Sequence, residues 1–151
     1  MTLPLIPKCA NIIETIARKA GDLALSHFFE LSSLPVEAKG HLDLVTVADK
    51  EVEAFITREL IATFPNDGLF GEEGASRKSQ SGRTWVVDPI DGTFNFVRGG
   101  DQWAVSIGLY ENGYPILGVL HVPVKMQTFV GGKGLPSTFN GKLMDQRKGM
   151  K

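Results

Sequence analysis

The chain has 151 residues, a hydrophobic fraction of 42% and a formal net charge of -1 at pH 7. This length and composition suit one domain with a closed core. The near-zero charge gives no signature of binding to a polyanion, so we expect no direct nucleic-acid contact. The single cysteine, Cys9, excludes an intrachain disulfide. Neither a signal-like N-terminal segment nor a membrane-length apolar run is visible, so we expect a soluble, cytoplasmic protein without membrane contacts.

Two amphipathic helices are predicted first. Apolar residues recur at three- and four-residue steps over residues 8–31. Thr46 and Asp49 have the spacing of a capping box, which predicts a second helix over residues 46–64, ended by Pro65. We predict a short polar loop before it, over residues 37–41. Asp49 is open to two interpretations, because an acid at a helix N-terminus can simply complement the helix dipole.

Adjacent acids follow a short apolar run. Residues 69–71 predict a brief extended segment, and Glu72 and Glu73 come directly after it. Neighbouring side chains on an extended chain point to opposite sides. Only one of the two glutamates can therefore face a given site.

The most informative stretch is a buried-strand pattern over residues 85–87 that runs into Asp88-Pro89-Ile90-Asp91-Gly92-Thr93. Pro89 fixes its own φ and favours an extended Asp88, so the two aspartates are held at a rigid bend. Two such carboxylates repel unless a cation lies between them, and Mg²⁺ prefers oxygen ligands of this kind. Gly92 lets the backbone approach a ligand, and Thr93 can open a helix whose N–H groups face an anion. Metal and anion together suggest phosphate chemistry, although Asp-Pro and Asp-Gly are also common in plain turns.

The rest of the chain predicts an antiparallel meander. Apolar and small residues alternate over residues 103–110, the period of a strand. Residues 111–113 predict a hairpin turn, and residues 114–122 and 127–131 predict the two returning strands.

Three blocks of this sequence together resemble the inositol monophosphatase family, the lithium-sensitive, Mg²⁺-dependent phosphomonoesterases. They are Asp43-Leu44-Val45-Thr46-Val47-Ala48-Asp49, Gly71-Glu72-Glu73 and the stretch over residues 85–96. The bacterial SuhB-like branch is the most similar. The resemblance implies an α+β fold, with two N-terminal helices on an antiparallel sheet, the first half of a layered αβαβα sandwich. It implies an N-terminal domain over residues 1–134 and leaves residues 135–151 as a divergent tail that we expect to be partly disordered.

The resemblance also implies a metal site. In it, Glu72, Asp88 and the Ile90 carbonyl hold one Mg²⁺. Asp88 and Asp91 hold a second. Glu73 is left as a supporting or structural residue.

Further roles come from the same resemblance. Asp49 partners Thr93, and together with Glu72 they make up the catalytic set that orients and activates the water. Backbone N–H groups of Gly92 and Thr93 bind the substrate phosphate. Lys39 is an open candidate for an electrostatic role near the site, and Arg98 is a candidate phosphate partner on charge alone.

The implied reaction is Mg²⁺-dependent hydrolysis of a small phosphorylated polyol, with inositol 1-phosphate as the first choice, by a homodimer. The family's second half carries a Trp-Asp motif whose aspartate completes the second metal site, and this sequence has no match to it. We therefore expect a truncated form of the first domain. The alternative is a catalytically impaired binding or regulatory module, associated as SuhB-like proteins are with a protein partner in the transcription machinery.

Overall fold

The structure is a computed structural model that describes residues 6–32 and 40–144 of the chain. Three helices and eight strands follow one another in these ranges. In chain order they are α1 (Ile6–Ser32), α2 (Gly40–Thr63), β1 (Gly68–Gly71), β2 (Ser76–Arg77), β3 (Arg83–Asp91), α3 (Thr93–Val97), β4 (Ala104–Glu111), β5 (Tyr114–Val122), β6 (Gln127–Gly132), β7 (Leu135–Phe139) and β8 (Lys142–Leu143). None of the three described helices combines the length and the apolar composition of a membrane-spanning segment.

The described strands form one sheet in the order β2-β1-β3-β4-β5-β6-β7-β8. Every pair is antiparallel except β1 with β3, which run parallel. The parallel pair arises because β2 reverses the chain on one side of β1, and β3 then returns on the other side. The α+β class and the meander of β4, β5 and β6 are confirmed. The sheet, which we expected to be antiparallel, is mixed.

The long helices α1 and α2 lie on one face of the sheet and bury its apolar side chains. On α1, Ile13, Ile16 and Ala20 are buried at the predicted three- and four-residue steps. The helix packs against α2 and, within the sheet, mainly against β5 and β4. Alternate strand residues such as Trp85 and Ile107 are fully buried in the same core. Removing such apolar surface from water, at roughly 25 cal/mol per Å², is the main stabilisation of this layer.

The second helix begins earlier than the sequence predicts. α2 starts at Gly40, so Thr46 lies inside the helix and the predicted capping box is wrong. The reason is that the buried apolar stripe extends upstream of Thr46, since Val45 is 5% exposed and precedes the fully buried Val52 by two helical turns. Gly40 and His41, which we predicted to lie in a loop, are helical.

The sheet continues beyond residue 134, where we expected a domain boundary. β7 pairs with β6, and β8 pairs with β7. Residues 135–143 therefore belong to the sheet, and the expectation of a disordered tail is wrong for them. The Asn140-Gly141 turn joins these two strands because both residues have positive φ, 51° and 83°, as two-residue hairpin turns require. Residues 145–151, the rest of the expected tail, lie outside the described residues.

A buried carboxylate ties the start of β3 to the turn after α2. Asp67 is 7% exposed and accepts hydrogen bonds from Trp85 Nε1 at 2.9 Å and from Ser81 Oγ at 2.6 Å. Trp85 is fully buried and contacts the ring of Phe64, with 5.0 Å between centroids. Asp67 therefore satisfies the polar group of an indole that lies in the core.

We expect Asp67→Ala to lower the free energy of unfolding by about 1–3 kcal/mol, because the indole N–H of Trp85 would lose its acceptor. Urea unfolding followed by tryptophan fluorescence measures the change. Asp101→Ala is the matched control, since Asp101 is exposed. Equal stabilities of Asp67→Ala and the wild-type chain would contradict the prediction.

Candidate active site

The parallel pairing of β1 and β3 brings acids from two parts of the chain to one edge of the sheet. Gly71, the last residue of β1, is paired with Val87, and the next residues of the two segments are Glu72 and Asp88. The amide of Glu72 also donates to the Val87 carbonyl at 3.2 Å. Asp91 follows at the end of β3. Three carboxylates therefore follow one another along this edge.

The helix α2 adds a further carboxylate. Asp49 is 9% exposed, and the negative charges that act on it include Glu72, Glu73 and Asp88. The negative charges of Asp91 and Glu72 act in turn on Asp88. We call Asp49, Glu72, Glu73, Asp88 and Asp91 the carboxylate cluster. These acids are thus near enough for their charges to act on one another.

The chain bends between Asp88 and Asp91, where the register of β3 against β4 shifts. Pro89 and Ile90 are buried at this bend. Beyond it, Thr93 Oγ1 donates to the Ile90 carbonyl at 3.2 Å. The side chain of Thr93 therefore stabilises the turn that carries the predicted carbonyl ligand.

Gly92 precedes the short helix α3 in a left-handed conformation, with φ 95° and ψ 40°. A Cβ at this position would lie 2.8 Å from the Gln102 carbonyl oxygen, so a larger residue would also displace the segment before β4. The first N–H groups of a helix have no intrahelical acceptor and can bind an anion. Phosphate contacts at Gly92 and Thr93 therefore stay a prediction. Within residues 45–144 no hydrogen bond joins Thr93 to Asp49, and that partnership also stays a prediction.

Burial and repulsion make two members of the carboxylate cluster difficult to ionise. Burial, followed by the negative charges of Glu73 and Asp88, raises the pKa of Asp49 to about 7. Burial, followed by the charges of Asp91 and Glu72, raises the pKa of Asp88 to about 6. A nearby positive charge would reverse both effects.

Such positive charge does not come from a basic side chain in the described part of the chain. The ion pairs found there lie elsewhere, on α1 and between α1 and α2. The guanidinium of Arg98, the candidate phosphate partner, lies over the ring of Phe94 at 4.8 Å from its centroid. Lys39 lies outside the described residues. The carboxylate cluster is therefore an acidic site without a basic partner among these residues.

Comparison with known proteins relates this site to a family. A sequence model of the inositol monophosphatase family matches residues 7–150, nearly the whole chain. The chain belongs to the inositol monophosphatase family. The resemblance based on the three sequence blocks is confirmed, and the family match extends past residue 134.

The proteins that are similar to this inositol monophosphatase-family chain carry several different functional names. The Nus factor SuhB of Xylella fastidiosa is 36% identical over 138 residues, which are 91% of this chain and 48% of that protein. A histidinol-phosphatase of Chlorobaculum parvum is 40% identical over 126 residues, 83% of this chain and 48% of that protein. The solved inositol monophosphatase of Anabaena superposes with a TM-score of 0.79 at 28% identity, over 95% of this chain and 51% of that one. The chain thus spans about half the length of the relatives it matches.

The carboxylate cluster fits a divalent cation by its donor chemistry. Carboxylates and the backbone carbonyl of Ile90 are hard oxygen donors of the kind that suits Mg²⁺. The raised pKa values of Asp49 and Asp88 indicate negative charge that a cation would stabilise. Among the described residues, no three Asp, Glu, His or Cys side chains are gathered closely enough to hold an ion by themselves. The donor set therefore suits Mg²⁺, but these side chains alone would not complete its coordination sphere.

Glu53, which lies one turn after Asp49 on α2, is a residue of this region that was not predicted from the sequence. Glu53 is 3% exposed, and its carboxylate oxygens accept hydrogen bonds from the amides of Glu73 and Ala75, each at 2.9 Å. One signal was available in the sequence. Two acids four residues apart share a helix face without the opposite charge that usually stabilises such a pair.

We expect Asp88→Asn to stabilise the chain in EDTA at about pH 8 by about 1 kcal/mol, because a half-buried charge is removed. The corresponding rise in Tm is about 2–4 °C. Folding raises the pKa of Asp88 to about 6. The ionised carboxylate therefore does not destabilise the fold below the unfolded pKa, near 4, and its destabilising effect grows as the pH rises to about 6. The gain in Tm should therefore shrink towards zero at about pH 4.

Thermal unfolding followed by circular dichroism across this pH range measures the difference. Asp101→Asn is the control, because it removes an exposed carboxylate. A gain for Asp88→Asn that is the same at every pH, or a loss of stability, would show that the charge of Asp88 is not the cause.

Proposed function

We propose that this chain carries the catalytic carboxylates of a Mg²⁺-dependent phosphomonoesterase that hydrolyses a small phosphorylated polyol with water. The observation that carries the proposal is the carboxylate cluster at the ends of β1 and β3, which no basic side chain of the described residues neutralises. Membership of the inositol monophosphatase family supports the reaction class.

In this proposal the acids serve two cation positions. Glu72, Asp88 and the Ile90 carbonyl would hold one Mg²⁺, and Asp88 and Asp91 would hold a second. Bound Mg²⁺ supplies positive charge to the phosphate and increases the acidity of water. Asp88 is the member whose pKa responds to both Asp91 and Glu72, which supports its role as the shared ligand.

The remaining roles fall to residues around the bend. Asp49 and Thr93 would orient the attacking water, and the effect of the Asp88 charge on Asp49 supports a place for Asp49 near the proposed cation positions. Backbone N–H groups of Gly92 and Thr93 would bind the phosphate oxygens, since donors at the start of a helix stabilise negative charge on a reacting group.

Inositol 1-phosphate is the substrate that we propose first. The likeness to a solved inositol monophosphatase supports this choice. The chain is 40% identical to a histidinol-phosphatase and 36% identical to a SuhB protein, so the matched half supports the reaction class more strongly than the choice of alcohol. The test therefore compares inositol 1-phosphate with histidinol phosphate.

We expect the chain to release inorganic phosphate from inositol 1-phosphate only in the presence of Mg²⁺, and LiCl to inhibit the release. Asp88→Asn should lower kcat/KM by about 100-fold or more, because it removes the carboxylate shared by both cation positions. A colorimetric phosphate assay measures the rates. Glu111→Gln is the matched control, since Glu111 lies at the other end of β4 from the residue that pairs with Asp91.

The outcomes separate the parts of the proposal. Release from histidinol phosphate alone would keep the reaction class and correct the substrate. Release that does not depend on Mg²⁺, or no release from either substrate by a folded chain, would contradict the enzymatic proposal.

A second candidate function is protein binding, which the 36% identity to a protein named Nus factor SuhB favours. In this alternative the chain is catalytically impaired and acts as a regulatory module for the transcription machinery. The net charge of -1 argues against tight nucleic-acid binding but leaves a protein partner open.

If the module function holds, Asp88→Asn should bind purified bacterial RNA polymerase with the affinity of the wild-type chain, because the substitution changes a half-buried site and little exposed surface. Biolayer interferometry with immobilised polymerase measures both dissociation constants. Absence of binding by the wild-type chain would exclude this partner.

A further inference from the structure

The turn after β1 carries Glu72 and is closed partly by its own backbone. Over residues 71–75, the amide of Gly71 donates to the Ala75 carbonyl at 2.8 Å, and the amide of Gly74 donates to the Gly71 carbonyl at 3.2 Å. The amide of Glu72 donates to a carbonyl of β3 at 3.2 Å. These three bonds leave two amides of the turn to be satisfied from outside it.

The side chain of Glu53 satisfies both of them. Its Oε1 accepts from the amide of Glu73 and its Oε2 from the amide of Ala75, each at 2.9 Å. Glu53 is 3% exposed, and no ion pair involves it among the described residues. A buried carboxylate without a cation is tolerated only where donors surround it. The two amides of the turn therefore account for a charged side chain at this buried position.

The contact between Glu53 and the turn requires a carboxylate at position 53 and a glycine at position 71. A Cβ at Gly71 would clash with the Glu53 carboxylate, so a larger residue there would force the carboxylate away from the turn. Glutamine at position 53 would offer one acceptor and one donor group, and its NH₂ would face an amide N–H. Both oxygens of Glu53 are needed to hold the turn.

The position of Glu53 on α2 connects this turn with the carboxylate cluster. Residues four apart on a helix lie on the same face, so Asp49 and Glu53 are stacked one turn apart. The helix α2 thus contributes Asp49 to the carboxylate cluster, and its Glu53 contacts the segment that carries Glu72. The Glu53 contacts therefore connect the helix that carries Asp49 with the turn that carries Glu72.

We propose that Glu53 is a positioning residue for Mg²⁺ binding. By accepting the amides of Glu73 and Ala75, it fixes residues 71–75 against α2 and holds Glu72 beside Asp88. Glu53 acts through the turn and does not contact the cation. This inference rests on the proposed function, because it gives Glu72 the role of a metal ligand.

The test compares Glu53→Gln with Glu51→Gln in the 151-residue chain. Glu51 is on the same helix, but it is exposed and its partner is His27 on α1, at 2.8 Å. Amide hydrogen exchange in EDTA reports on the turn, and calorimetric titration with MgCl₂ reports on the site. For Glu53→Gln we expect exchange at Glu73 and Ala75 to accelerate about tenfold or more, and the Mg²⁺ dissociation constant to rise about 10- to 100-fold. Glu51→Gln should change neither.

Each result decides the matter. Unchanged exchange at both amides would overturn the proposal, and so would faster exchange with an unchanged dissociation constant, because Glu53 would then support the fold alone. Gly71→Ala provides a second variant if Glu53→Gln does not fold, since its Cβ displaces the same carboxylate and should produce both changes. A wild-type chain that binds no Mg²⁺ while exchange still depends on Glu53 would instead overturn the proposed function, and with it the metal role of this contact.

Discussion

The parallel pairing of β1 with β3 is the constraint on which the carboxylate cluster depends. Both strands run towards the same edge of the sheet, so the residue that follows β1, Glu72, lies beside Asp88. If β1 ran the other way, its four residues would carry Glu72 to the opposite end of the strand, about 13 Å away. Asp49 joins these acids from α2, which packs against β3.

The same elements carry both the core and the charge. On α2, Val52, Ile56 and Leu60 are almost fully buried, while Asp49 faces other acids. The raised pKa values of Asp49 and Asp88 mean that the fold holds these two charges at a cost, about 1.4 kcal/mol for each pKa unit before solvent screening. Apolar burial along the helices and the sheet offsets that cost. A cation bound at the cluster would remove part of that cost, so metal binding at this site would increase stability.

Much of this architecture follows from periodic patterns in the sequence. The alternation that predicts β4 and the three- and four-residue steps that predict α1 are both confirmed, because in each case one face of the element is buried against the other layer. Asp88 and Asp91 were found by a local rule as well, since a proline between two aspartates restricts the backbone wherever it occurs. The roles of Asp49 and Glu72 came from the family resemblance. The contacts of Gly92 and Thr93 with a phosphate concern a partner outside the chain, and no pattern within it can test them.

The features that the sequence did not reveal depend on contacts between distant residues. The spacing of Thr46 and Asp49 satisfies the rule for a capping box, but burial of Val45 against the core extends the helix past it. A strand as short as β1 has no pattern that would specify a parallel partner. Glu53 meets its two amides 20 and 22 positions further along the chain, and only the folded arrangement of α2 over the turn brings them together. A buried carboxylate among apolar helix residues is therefore the kind of signal that sequence reasoning should follow, because such a charge persists only where the fold supplies donors for both of its oxygens.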